Sequence, residues 1–248
     1  MREKIVIFIL SLFAAFTAQA QERVVQNRPY TDLRPFHFGV LVGTHLQDVE
    51  FRNVGPQIIT ADDGSQTQKL ITCDQDNWNA GFTVGVLGEA RINEYFAFRI
   101  APAMYFGTRH FTFQNLTDKL EDGTSIHEQQ EMKSVYISAA CDLIFAAKRF
   151  NNHRPYMMLG VNPMLNLTGN TDDYIQFKKS ECFFEIGVGC DFYLPFFKLR
   201  PELKFMLGLS NVFDSDHPSK LQDKTMLPYA NSVDKATSKM VALTFYFE

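Results

Sequence analysis

The residues of this chain able to do nucleophilic or metal chemistry are six histidines, four cysteines and scattered serines, and their spacing matches no reactive pattern. His37, His45, His110, His127, His153 and His217 contain no HExxH-type pair. His37 and His45 share one face of an extended segment but stand ~26 Å apart at the rise of a strand, too far to share an ion, so hydrogen bonding inside the fold is their expected role. Serine–histidine hydrolysis would nominate His110, Ser138 and Ser210, yet no nucleophile elbow or triad surrounds them. Cys73, Cys141, Cys182 and Cys190 form no CxxC or Cys/His pattern for zinc. The last three lie on the apolar parity of their segments, where a free thiol acts as a small hydrophobe; in an exported protein a disulfide stays open. No catalytic, cofactor-binding or metal-binding residue is expected, and the chain is read as a non-enzyme.

A second set of charged residues is more ordered. Glu89, Arg91, Arg99, Asp142, Glu185, Asp191, Arg200, Glu202 and Lys204 all fall on the polar side of alternating segments, and their charges nearly cancel. That chemistry is mutual ion pairing, as charges enclosed away from water require.

The elements that position them are strands. In LRPELKFMLGL (199–209), Leu199, Pro201, Leu203, Phe205, Leu207 and Leu209 take one face, and Arg200, Glu202, Lys204, Met206 and Gly208 the other. The same alternation runs through 36–46, 77–91, 96–106, 133–145, 155–167, 181–193 and 239–247, eight strands in all. Long polar segments at 47–76, 114–131, 168–179 and 210–237 alternate with brief turns near 93–95, 147–154 and 194–198. Short periplasmic turns and longer outside loops are the asymmetry of outer-membrane barrels. A three-residue turn at 93–95 would set Glu89 across from Arg99, the expected ion pair.

Which face is inside follows from the polar side, which is mostly Gly, Ala, Ser, Asn and Tyr with sparse charge. A soluble carrier barrel would show water a densely charged exterior; this face suits a crowded, hydrogen-bonded lumen. The fold expected is therefore all-β, an eight-stranded antiparallel up-and-down transmembrane β-barrel. At that strand number the interior is just wide enough for side chains to fill, so it should not conduct solutes. Phe36, Trp78, Phe96, Phe106, Tyr156, Phe192 and Phe247 near strand ends are candidates for interfacial girdles, whereas Pro102, Pro163 and Pro201 inside strands weigh against ladder pairing.

Residues 1–20 read as a signal peptide: Arg2 and Lys4 give a positive start, 5–16 is apolar, and Ala18-Gln19-Ala20 is a small-residue cleavage site before Gln21. Removing Arg2, Glu3 and Lys4 takes the net charge from −4 to −5, and no basic stripe for nucleic acid is present. Residues 21–35 then form a polar periplasmic arm and 36–248 the barrel, with outer-membrane lipid as its surroundings and no small-molecule substrate evident.

The arm and first strand, QNRPYTDLRPFHFGVLVGTHLQDVEF (26–51), with GEARINEYFAFRIAPAMYFGTRHFTF (88–113), YISAACDLIFAAKRFNNHRPYMMLG (136–160) and LRPELKF, resemble the PorT family of Bacteroidota outer-membrane barrels. The resemblance implies a non-enzymatic component of the type IX secretion machinery, which exports folded cargo bearing a C-terminal signal domain. It implies a monomeric barrel within a larger complex of secretion-machine proteins, acting as membrane anchor or assembly factor. A generic small outer-membrane barrel serving adhesion or envelope integrity, or a lipid-modifying enzyme, would share the alternation. Glu248 after Phe247 leaves the aromatic residue penultimate, a departure from the usual barrel terminus.

Overall fold

The computed structural model describes residues 25–60, 66–119, 124–168, 173–221 and 224–248. The predicted leader and its cleavage point between Ala20 and Gln21 lie outside the described residues. Ten strands form among the described residues: β1 (Phe36–Asn53), β2 (Pro56–Thr60), β3 (Gln66–Asp74), β4 (Asn79–Arg91), β5 (Phe96–Lys119), β6 (Ser125–Ala146), β7 (His153–Asn166), β8 (Ser180–Tyr193), β9 (Lys198–Gly208) and β10 (Val233–Phe247). Eight of them close into a ring in the order β5-β4-β1-β10-β9-β8-β7-β6, with β6 returning to β5. Every neighbouring pair is antiparallel, and the seam is the β1–β10 pairing from Val40↔Phe247 to Asn53↔Val233. The expected eight-stranded up-and-down barrel is the observed one.

Two segments read as long polar loops carry strands among their described residues. Residues 47–76 carry the outer end of β1 and the β2–β3 hairpin, which lies along outer β5 through Ile71↔Asn115 to Asp74↔Thr112. Residues 114–131 hold the ends of β5 and β6, paired as far as Lys119↔Ser125. The reason lies in the environment of each face. In the lower barrel the outward residues are apolar and exposed, as with Phe36, Phe38, Val40, Val42 and Leu46 on β1. Higher on the same strand, without a change of parity, Val49 is buried and Glu50 faces out. β5 does the same, with Phe98 and Ile100 exposed below and Phe111 and Phe113 fully buried above. Where the outside meets lipid the greasy face points out; where it meets water the greasy face turns in. This inversion marks the outer membrane boundary on the barrel wall.

The inverted face builds a core that caps the outer end of the lumen. Val49, Ile71, Cys73, Phe111, Phe113 and Met132 from the wall pack with Ile175 and Phe177 from the β7–β8 connection and Val212 and Phe213 from the β9–β10 connection. Phe51 meets Phe111 edge-on at 5.2 Å, and Phe111 meets Phe177 at 5.6 Å. Pro102, Pro163 and Pro201 lie within β5, β7 and β9, and the register runs through each without a shift, opposite Ala139, Cys182 and Phe245.

Candidate functional site

The lumen is the most elaborated part of the molecule. At mid-height Arg99 reaches from β5 across to β9, which is four places away in the eight-strand ring and hence on the opposite wall. Its Nε and Nη2 donate to Asp142 Oδ2 at 3.0 and 2.9 Å, and Nη2 donates to both oxygens of Glu202 at 2.9 Å. Glu202 also accepts the hydroxyl protons of Tyr156 at 2.8 Å and Tyr246 at 3.0 Å, while the Arg99 guanidinium lies 4.4 Å from the Tyr246 ring centre. Arg99 and Asp142 are wholly buried and Glu202 nearly so. One cluster thus ties five strands together, because alternate residues of each strand must point to the same enclosed space.

Towards the periplasmic end Arg200 holds three carboxylates: Asp191 at 2.6 Å, Glu89 at 2.5 Å and Glu248 at 2.6 Å. Lys198 and His37 also contact Glu248, His37 Nδ1 at 3.4 Å. Above the central cluster Lys204 pairs with Glu185 at 3.3 Å, and the Asn162 amide donates to the same carboxylate at 2.6 Å. Higher again, Arg109 donates through Nε to Gln47 Oε1 at 3.1 Å and lies 5.5 and 5.3 Å from the Tyr136 and Phe177 ring centres. Polar lumen and apolar cap meet there.

Of the nine charges expected inside, eight are buried and Arg91 is not. Arg91 lies half-buried at the periplasmic rim and donates to the carbonyls of Asn93 and Leu33. The Glu89–Arg99 ion pair is a correction. The two residues are cross-strand neighbours, yet Glu89 bonds Arg200 and Arg99 turns to Asp142 and Glu202. Asp142 is the register partner of Arg99 on β6 as Glu89 is on β4, and in an enclosed lumen a long guanidinium also reaches the far wall, so register alone does not choose among them. Tyr156, read as a girdle residue, faces the lumen instead. Glu181 stands on the inward parity of its strand, as the alternation predicts, and Lys198, Arg109 and Glu248 are further buried charges outside the predicted set. Lys198 falls in the predicted turn at 194–198 but opens β9, and the parity of Arg99 continued up β5 leads to Arg109.

The corrected partnership sets an expectation for Glu89→Gln. Arg200 keeps Asp191 and Glu248, so the loss is one charge-assisted bond, about 1–2 kcal/mol. Urea unfolding of the barrel in lipid vesicles should show a small fall in midpoint with unchanged slope; a loss of several kcal/mol would mean that Glu89 carries more than this contact.

The periplasmic mouth is crossed by the arm. The Asn27 amide N–H donates to Asn152 Oδ1 and its side chain to the Tyr193 carbonyl, both at 2.9 Å, and Arg28 donates to the Glu248 carbonyl at 2.8 Å. Asp32 accepts from the Tyr193 hydroxyl at 2.5 Å and lies 3.6 Å from Arg154. Arg149 stacks 3.6 Å over the Tyr193 ring. The arm is a strap bound to the short turns and to the last residue of the chain.

The residues nominated for hydrolysis are not brought together. His110 is exposed on the outer wall beside Asn79 and Glu131, Ser138 points into the lumen and donates to the Ala103 carbonyl at 3.3 Å, and Ser210 is exposed beyond β9. His45 faces the lumen and contacts Thr83 Oγ1 at 3.0 Å. The four cysteines are unpaired thiols. Among the described residues no three His, Cys, Asp or Glu side chains cluster in a way that could hold a metal ion.

Residues 18–214 match the family model described as "Outer membrane protein beta-barrel domain". Among solved structures the chain is similar to the crystal structure of Neisserial surface protein A, at 12% identity over 86% of this chain and 98% of that one, with a TM-score of 0.40. It is also similar to Ail, the attachment invasion locus protein of Yersinia pestis, in complex with the heparin analogue sucrose octasulfate. There the identity is 13% over 86% of this chain and 99% of that one, with a TM-score of 0.38. No curated protein matches the sequence.

Proposed function

Since the chain belongs to the outer-membrane β-barrel domain family, we propose that it serves export of folded cargo through the type IX secretion machinery, as a membrane anchor and assembly partner. The observation that carries this reading is the strap. The segment at 26–51 that resembles the PorT family includes the arm, and the arm is held across the periplasmic mouth by Asn152, Tyr193, Arg154 and Glu248. A barrel whose periplasmic face is organised by a bound segment offers a defined surface to periplasmic components of a secretion machine. Its own lumen is filled by the Arg99 and Arg200 clusters and capped by apolar packing, which favours anchoring over conduction.

The test is a clean deletion of the gene in its host, with cargo bearing the signal domain measured in the medium and in the periplasm. Cargo held in the periplasm and released on restoring the gene is the expected result. Normal export in the deletion strain would remove the secretion role. A surface-contact role is the second reading, favoured by the β2–β3 hairpin and outer β5 and β6, which rise above the lipid-facing band. It would leave cargo export intact and alter attachment or envelope properties.

A further inference from the structure

Beside the apolar cap, between the outer strands and the two outer connections, lies a cleft of about 430 Å³. β3 contributes Lys69, β5 Asn115 and Asp118, β6 Glu128, and the two outer connections Tyr174 and Tyr229. The volume falls in the roughly 300–1,000 Å³ range of small-ligand clefts. Its polar groups come in donor–acceptor pairs. Lys69 Nζ and Asp118 Oδ2 stand 2.7 Å apart, and the Tyr174 hydroxyl donates to Glu128 Oε2 at 3.4 Å. The aromatic part is a cluster: the Tyr174 and Tyr229 ring centres lie 5.4 Å apart at 58°, and both pack against Phe113, at 5.3 and 5.8 Å.

We propose that this cleft binds a neutral saccharide unit through vicinal hydroxyls and an apolar ring face. A hydroxyl both donates and accepts, so two adjacent hydroxyls match a neighbouring ammonium and carboxylate better than any group of one sign does. The C–H face of a sugar ring is the complement of a tyrosine ring. The charges of Lys69, Asp118 and Glu128 sum to one net negative, which turns away phosphorylated and sulfated sugars. The hydrogen bond from Lys69 holds the Asp118 carboxyl below its ordinary range, and burial pushes the Tyr229 phenol up, so the one stays an acceptor and the other a neutral hydroxyl. The asparagine below is already committed: Asn115 Nδ2 donates to Asp118 at 2.9 Å and its Oδ1 accepts from the Thr117 and Asp118 amides at 3.0 Å. It fixes the carboxylate in place. The site opens outward, so the sugar could come from the bacterium's own lipopolysaccharide or from the surroundings. This inference is independent of the secretion role.

The experiment is saturation-transfer NMR on the full chain in lipid nanodiscs. The probes are glucose, galactose, mannose and N-acetylglucosamine, oligosaccharide released by mild acid from the host bacterium's lipopolysaccharide, and glucose 1-phosphate. Saturable transfer to at least one neutral probe is expected, weakened about tenfold or more in Asp118→Ala and in Thr225→Trp, which fills the cleft from its exposed rim. Heat-dependent gel mobility verifies that both variants fold. Binding of the released oligosaccharide alone assigns the ligand to the bacterium's own surface, and binding of simple sugars to an outside source. No transfer to any neutral probe, transfer undiminished in both variants, or preference for glucose 1-phosphate would overturn the proposal.

Discussion

Replacing Arg99 by Met should cost the barrel about 3–5 kcal/mol, because it removes the cation that is hydrogen-bonded to both Asp142 and Glu202 in the lumen. Both carboxylates are buried from solvent, and Arg99 is the cation that bridges them. Tyr156 and Tyr246 would still donate to Glu202, but two hydroxyls do not replace a guanidinium that meets both of its oxygens at 2.9 Å. Urea unfolding in lipid vesicles should show the midpoint falling steeply with little change in slope. A triple variant, Arg99→Met with Asp142→Asn and Glu202→Gln, should recover most of the loss, since a neutral lumen strands no charge. A single variant within about 0.5 kcal/mol of wild type would show that water reaches these carboxylates freely.

Gly85→Val is expected to disrupt the β4–β5 seam, at about 1–3 kcal/mol or more. A Cβ on Gly85 would sit 2.4 Å from the Pro102 carbonyl oxygen and 2.7 Å from the Ala103 Cβ. The first obstacle is backbone and cannot swing aside, so the strands must part. Gly88, three residues along the same strand, is the control: its Cβ would meet only the Phe38 ring, at 3.6 Å or beyond. Gly88→Ala should be neutral or raise stability by up to about 1 kcal/mol, since glycine inside a strand carries an entropic cost. Equal losses at both sites, read by the same unfolding assay, would refute the packing argument.

The contrast between those two glycines was not legible in the sequence, where both look like small residues in an alternating strand. The approach of β5 to Gly85 exists only once register sets it opposite Ala103. Alternation itself was legible, because a side-chain period of two is local and lipid demands an unbroken greasy face. It broke down above the membrane for the same reason. A search for one constant apolar face stops near Leu46, although β1 continues to Asn53 with the apolar residues now inside. The outer ends of β5 and β6 were lost in the same way, and the cap and the cleft beside it with them.

By itself the sequence determined the closed eight-stranded ring and, through parity, the side of the wall on which most membrane-level residues stand. These follow from chain-local parity, from loop lengths and from the need to satisfy every backbone group in lipid. The tertiary structure decided which charges meet across the lumen. Arg99 takes its β6 neighbour Asp142 but passes its β4 neighbour Glu89 for Glu202 on the far wall, and Arg200 collects Glu89, Asp191 and Glu248 from three parts of the chain. The strap at the periplasmic mouth and the tyrosine-lined cleft at the outer one are likewise tertiary. Each joins residues more than 40 positions apart, and a distance of that kind is set by closure of the ring, not by any local pattern.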